Sequence, residues 1–233
     1  MPAPSPSRLP PILLALGNHR RAMSRSRPEI DVSAHLIDLT GFAQPGASSW
    51  PSVFGNDHPV ELEIGSGKGL FLLNAATAEP THNFLGIEIS RKYARLAAER
   101  LAKHAIPNAK VWPGDARLVL PRHIPTASLR VVHVYFPDPW WKKRHKKRRV
   151  FTESLVTEIQ RILEPGGQLR VASDVEEYFA VIRDLVAASP RFRELPVPLP
   201  NEPRHDLDYL TSFERKYLLE GRPIFRAFYE LCG

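Results

Sequence analysis

Five short apolar runs, separated by helix-like segments, constrain this chain more than any other feature. They are "VELEIG" from Val60, "NFLGIEI" from Asn83, "AKVWPGD" from Ala109, "LRVVHVYF" from Leu129 and "QLRVASD" from Gln168. Near-continuous apolar, β-branched runs belong to strands covered on both faces. The intervals carry helical patterns: Leu70–Ala78, "RKYARLAAERLAKHA", "VFTESLVTEIQRILEP" closed by Gly166 and Gly167, and "VEEYFAVIRDLVAAS". This alternation predicts an α/β fold, an open parallel sheet with helices on both faces. "PIFRAFYE" near the end has strand composition and is expected at the sheet edge. Sheets of this kind bind ligands beyond the carboxyl ends of their strands, so the loops there are where chemistry is sought.

A chain of 233 residues makes one good-sized domain with room for a terminal extension. Residues 1–59 read as a flexible arm, proline-rich at "MPAPSPSRLPP" and basic at Arg20, Arg21, Arg25 and Arg27. Residues 60–233 form the folded domain. "LPPILLALG" imitates a short signal peptide but is broken by prolines and lacks a clear cleavage site. No apolar run approaches the roughly 18 residues of a membrane helix. The single cysteine, Cys232, excludes a disulfide framework or cysteine metal site and suits a reducing, cytoplasmic setting. No metal site is expected.

The net charge of +7 is informative once it is located. Lys142, Lys143, Arg144, Lys146, Lys147, Arg148 and Arg149 match that excess by themselves, leaving the rest of the chain near neutral. A concentrated cationic patch implies a polyanion, nucleic acid before anionic membrane.

"ELEIGSGKGLF" puts Gly65, Gly67 and Gly69 at a strand-to-helix turn, two residues after Glu63. Glycines there let a ligand approach the backbone at a helix amino end. A phosphate loop would need glycine where Leu62 stands and Ser or Thr where Gly69 stands. A nicotinamide dinucleotide is harder to exclude, since Glu88 ends the second strand at a ribose-gripping distance. Two acids favour S-adenosylmethionine. Glu63 faces the place of a cationic amino group, and Asp115 in "PGDA" adds a polar group where an adenine would sit. Singly, each is as readily a turn or capping residue.

The fourth run delivers "YFPDPWWKKRHKKRR" to the same crevice. Asp138, between Pro137 and Pro139, lies in a stiff extended loop suited to accurate placement. Trp140 or Trp141 is suited to stacking on a base, although Trp141 reads better as core, and the cations can track phosphates.

In series, "EIGSGKG", "GIEI", "GDA", "FPDPWWKKRHKKRR", "ASD" and "TSFERKYLLEGRPIFR" resemble the bacterial tRNA (guanine-N7-)-methyltransferases, over about Val60 to Glu230. The resemblance implies a Rossmann-like class I methyltransferase with a mostly parallel seven-stranded sheet. It implies methyl transfer from S-adenosylmethionine to N7 of the guanosine at position 46 in the tRNA variable loop. It also implies a cofactor site of Glu63, Gly65, Gly67, Gly69, Glu88, Asp115 and Asp138, with Asp138 the catalytic candidate. Lys142, Asp174, Thr211, Ser212, Phe213 and Glu214 would contact the substrate. tRNA is the implied partner, with no membrane and no obligate protein partner, as monomer or homodimer. Trp141 stands where the family commonly has a second proline, and Ser212 replaces a frequent lysine. Guanine N7 has a lone pair and no proton, so Asp138 is expected to orient and stabilise rather than to abstract. The competing readings are a same-fold enzyme acting on another nucleic acid or a protein, a non-catalytic RNA-binding module, and a nicotinamide oxidoreductase.

Overall fold

The computed structural model describes residues 30–37, 49–140, 144, 149–198 and 211–233. Its strands are β1 (Val60–Ile64), β2 (Asn83–Glu88), β3 (Ala109–Pro113), β4 (Leu129–Tyr135), β5 (Leu163–Ser173), β6 (Phe192–Leu195) and β7 (Phe225–Leu231). They form one sheet in the order β3-β2-β1-β4-β5-β7-β6. The first five are parallel, and β7 runs antiparallel between β5 and β6. The strand expected at the edge is therefore one place in from it. The edge belongs to "FREL" of β6, too short and too charged to stand out in the sequence.

The helices are α1 (Trp50–Phe54), α2 (Leu70–Ala78), α3 (Arg91–Lys103), α4 (Ala116–His123), α5 (Glu153–Ile162), α6 (Glu176–Ala187) and α7 (Ser212–Leu219). Leu62, Ile64, Val132 and Val134 pack with residues of α4, α5 and α6 on one face of the sheet. Phe84, Val111 and Tyr135 pack with Phe71 of α2 and with Ala97 and Leu101 of α3 on the other. α5 stops at Ile162, and the glycine pair read as its stop lies inside the long β5. α4 carries Pro121 in its interior, which hides it from the helical pattern. Arg161 of α5 ties down that helix end, donating to the carbonyls of Leu120 at 2.8 Å and Ile124 at 2.9 Å.

Successive strand side chains alternate between faces, so the apolar partners above leave Glu61, Glu63, His133 and Tyr135 together on the α2/α3 face. They form a buried polar stripe on the two central strands. Glu61 lies 2.7 Å from His133 Nε2 and 2.7 Å from His82 Nδ1, and His133 Nδ1 lies 2.8 Å from the Tyr135 hydroxyl. Burial pushes the Glu61 carboxyl up, but its hydrogen bonds with His133 and then His82 outweigh this and hold it at about 2. Burial keeps His133 below the ordinary imidazole value, that is, neutral. The neutral ring donates from Nε2 to Glu61 and accepts at Nδ1 from Tyr135, so Glu61, His133 and Tyr135 satisfy one another.

Part of the stretch expected as an arm lies against the sheet. Val111 N–H donates to His35 O at 2.7 Å, Ile37 N–H donates to Val111 O at 2.9 Å, and Leu36 bridges to Val111 in parallel. Residues 30–37 thereby cover the β3 edge, an edge that would otherwise be open to pairing. Trp50 Nε1 donates to Ser128 O at 2.8 Å, anchoring α1 to the loop before β4. Among the described residues, no helix is long and apolar enough to cross a membrane.

Candidate active site

A cavity of about 490 Å³ opens at the carboxyl ends of β1, β2, β3 and β4, within the usual size of a small-molecule site. Its floor is the turn between β1 and α2. Gly65 and Gly67 have φ of +83° and +53°, and a Cβ at either would meet nothing within 4 Å. Both line the cavity, so their bare Cα atoms face open space that a ligand can enter. Gly69 differs. Its φ is +71°, and a Cβ there would lie 2.7 Å from Ala97 Cβ, so this glycine serves the packing of α2 on α3 and does not line the cavity.

Backbone donors of the turn are already engaged. Gly65 N–H and Ser66 N–H both donate to Ile87 O, at 2.8 and 3.2 Å. Gly67 N–H donates to Glu88 Oε2 at 2.8 Å, while Glu88 Oε1 accepts from Ser90 N–H at 2.8 Å. Glu88 thus splints the turn and lines the cavity at once. A pyrophosphate would find the N–H groups of Gly65, Ser66 and Gly67 already taken, and a carboxylate beside them. The nicotinamide reading loses its support here.

Glu63 is buried under the turn, and its Oε2 has no hydrogen-bond partner. Burial first, and the Glu88 charge second, push its carboxyl well above the usual range. An orphaned buried acid is costly unless protonated or faced by a cation. Glu63 does not itself line the cavity, but a buried carboxyl beneath the floor, with Glu88 in its wall, disfavours a ligand that brings phosphate there. Asp115 lines the cavity and also caps α4, accepting from Arg117 N–H at 3.0 Å. The Arg117 guanidinium, 2.6 Å away, holds the Asp115 carboxyl below its ordinary value. Capping and lining are compatible roles, because one carboxylate accepts several hydrogen bonds. Ile89 and Tyr93 complete the β2 side of the wall, with 66% and 42% of their surface exposed. Sequence reasoning missed them, although exposed apolar side chains next to an acid at a strand end suit the faces of an adenine.

The opposite wall is the loop after β4. Phe136 N–H donates to Ala172 O at 2.8 Å, and the chain then runs through Pro137, Asp138 and Pro139. Phe136 and Trp140 bracket it with φ of +50° and +41°. Left-handed backbone costs a bulky residue roughly 1–2 kcal/mol, so two such residues mark a loop held in place by its surroundings. Asp138 is exposed and lines the cavity together with Trp140. Trp141 and Lys142 lie outside the described residues.

The remaining expected contacts separate into two groups. Phe213 reaches the cavity mouth, half-exposed, 6.1 Å from the Phe136 ring and stacked on Tyr217. Thr211 and Glu214 are buried in another role. Thr211 Oγ1 accepts from Glu214 N–H at 3.0 Å, capping α7, and the Glu214 carboxylate pairs with Arg226 of β7. Thr-x-x-Glu before a helix is a capping signature, the signal that would have shown this. Asp174 pairs with Arg222, whose guanidinium stacks 4.3 Å over Tyr217, and does not line the cavity. The side chain of Ser212 lies outside the described residues. Among the described residues, no group of three or more His, Cys, Asp or Glu could hold a metal ion.

The family model described as "Putative methyltransferase" matches residues 57–227. The chain is 44% identical to the tRNA (guanine-N(7)-)-methyltransferase of Rhodopirellula baltica, over 90% of this chain and 79% of that one. It is 33% identical to the enzyme of the same name from Geobacter metallireducens, over 78% and 86%. Among solved structures it is similar to the 16S rRNA methyltransferase KamB, with a TM-score of 0.59 at 15% identity, covering 82% of this chain and 95% of that one. That likeness shows the fold.

Proposed function

The chain belongs to the tRNA (guanine-N(7)-)-methyltransferase family, and on that premise we propose that it methylates N7 of a guanosine in tRNA, at position 46 of the variable loop. The methyl donor is S-adenosylmethionine, which when bound supplies an electrophilic methyl on a sulfonium. Gly65 and Gly67 would leave room for this donor, Glu88 and Asp115 would hold its ribose and adenine, and the buried Glu63 carboxyl beneath them would balance its ammonium charge. What supports this assignment is the orphaned Glu63 carboxyl beneath open glycines, an acid whose burial calls for a cation.

Guanine N7 presents an in-plane lone pair and carries no proton, so the reaction needs no general base. The purine becomes cationic as the bond forms. Asp138, exposed on the stiff loop after β4 and lining the cavity, is the carboxylate suited to orient the guanine edge and stabilise that charge. Phe213 and Trp140 offer aromatic surface for a base turned out of its stack, and Lys142 and the neighbouring cations suit the phosphates around it. Asp174, Thr211 and Glu214 act behind this surface, by holding α7 and the turn before β7. A cytoplasmic setting accords with a tRNA substrate.

Incubation with methyl-labelled S-adenosylmethionine and unmodified tRNA, followed by nucleoside analysis, tests the reading. Label in 7-methylguanosine is expected. Label confined to another nucleoside, or to protein, would assign the fold to a different target.

A further inference from the structure

The cation run does not end as it begins. Arg144 is exposed, whereas Arg149, the last cation, is partly buried and engaged. Its Nε donates to Pro139 O at 2.7 Å, and its guanidinium lies 5.0 Å over the ring of Tyr178. Tyr178 belongs to α6 and is fully buried in the core against which the sheet packs. Burial first raises the Tyr178 hydroxyl above the ordinary phenol value, and the Asp138 carboxylate adds to this while Arg149 opposes it. Asp138, Arg149 and Tyr178 therefore sit close enough to feel one another's charge.

Pro139 directly follows Asp138, and Arg149 lies ten positions further on. Their hydrogen bond closes the two ends of the cationic segment onto each other, with Asp138 at the neck. A guanidinium can do this because it is a planar fork that stacks on an aromatic face while donating in its own plane. A lysine keeps the charge but neither the fork nor the stack.

We propose that Arg149 is a positioning residue for methyl transfer: it fastens the neck of the cationic segment to Pro139 and Tyr178, and so fixes Asp138 at the cavity wall. This rests on the methyl-transfer reading above. It also removes Arg149 from the phosphate-binding set to which its place in the run assigns it.

The test is steady-state and binding analysis of Arg149→Lys, Arg149→Gln, Tyr178→Phe and Tyr178→Leu in the full chain, using unmodified tRNA transcript and S-adenosylmethionine. Misplacing a reacting group by about 1 Å costs on the order of 100-fold. Arg149→Lys should thus lose about 10- to 100-fold in kcat with KM for tRNA unchanged, and Tyr178→Leu should do the same with every charge intact. Tyr178→Phe, which keeps the ring, should stay near wild type. Arg149→Gln should leave the salt dependence of tRNA binding as it is. Arg149→Lys with wild-type kcat, or Arg149→Gln with a shallower salt slope, would overturn the proposal and make Arg149 a phosphate contact. The thermal shift on adding S-adenosylmethionine identifies the folded variants. Should Arg149→Lys not fold, a folded Tyr178→Leu with wild-type kcat overturns it equally. Wild-type protein inactive on tRNA would instead overturn the methyl-transfer reading.

Discussion

On the glycine side of the cavity, Glu88 is held by the N–H groups of Gly67 and Ser90, Asp115 by Arg117, and the turn itself by the Ile87 carbonyl. On the other side, Asp138 is exposed, and the loop that carries it hangs between two left-handed residues. The first wall is made of overlapping contacts within the sheet and is complete as folded. The second is one loop, held by contacts that include the hydrogen bonds of Phe136 to Ala172 and Arg149 to Pro139 and the Phe136 ring against Phe213 and Tyr217. A cofactor wall built into the sheet and a substrate wall carried on one loop separate the two binding events energetically. Substitutions should sort accordingly, into those that change cofactor affinity and those that change transfer.

The largest effect is expected from Asp138→Ala. Loss of a group aimed at developing charge typically costs roughly 100- to 1,000-fold, so methyl transfer under single-turnover conditions should fall by about that much. Full turnover in this variant would remove Asp138 from the mechanism and erase the contrast between the walls. Next comes Glu63→Gln, which removes the acid without changing its size. Affinity for S-adenosylmethionine should drop roughly 10-fold or more, while the ligand-free protein becomes more heat-stable at pH 8. The sign follows from the raised carboxyl. Stability from its protonated form is complete below the unfolded value of 4.5 and is lost as pH rises, so removing the acid helps most at high pH. Thermal melts at pH 5 and pH 8, with and without ligand, check both parts.

A smaller change should follow from replacing Lys142, Lys143 and Arg144 together with Ala. Each lost phosphate contact reduces the slope of log affinity against log salt by roughly 0.7–0.9, so filter binding across a salt series should show a slope shallower by up to about 2 to 3. An unchanged slope would place the RNA grip elsewhere. The smallest effect concerns the buried stripe. Glu61, depressed to about 2, contributes stability above pH 4.5 that is lost between there and pH 2, and neutral His133 adds a loss as pH falls below 6.5. Glu61→Gln should flatten the fall in melting temperature below pH 4.5 and leave cofactor affinity nearly unaltered.

The sequence carried this architecture unevenly, for physical reasons. α2 and the five parallel strands were legible because strands buried on both faces and an uninterrupted helical pattern leave a strong periodic signal. α4 was hidden by Pro121, and β6 by its charged, four-residue length. The polar stripe escaped notice because Glu61 lies on β1 and His133 and Tyr135 on β4, and the two strands' residues meet only through sheet register. Glu63, Gly65, Gly67, Glu88, Asp115 and Asp138 stood out in the sequence by their places at strand ends; topology brings all of them but Glu63 to the cavity lining, and Glu63 lies buried beneath it. Gly69, Thr211 and Glu214 carry the same motifs and yet pack and cap, because a motif fixes residue types and not the direction in which a side chain ends.

Calorimetric titration of S-adenosylmethionine into the protein with no RNA present tests the division between the walls most directly. Saturable binding at one site per chain, of equal affinity in wild type and Asp138→Ala, is the result that a cofactor wall complete in itself predicts. Binding that develops only once tRNA is added, or that disappears with Asp138, would contradict it.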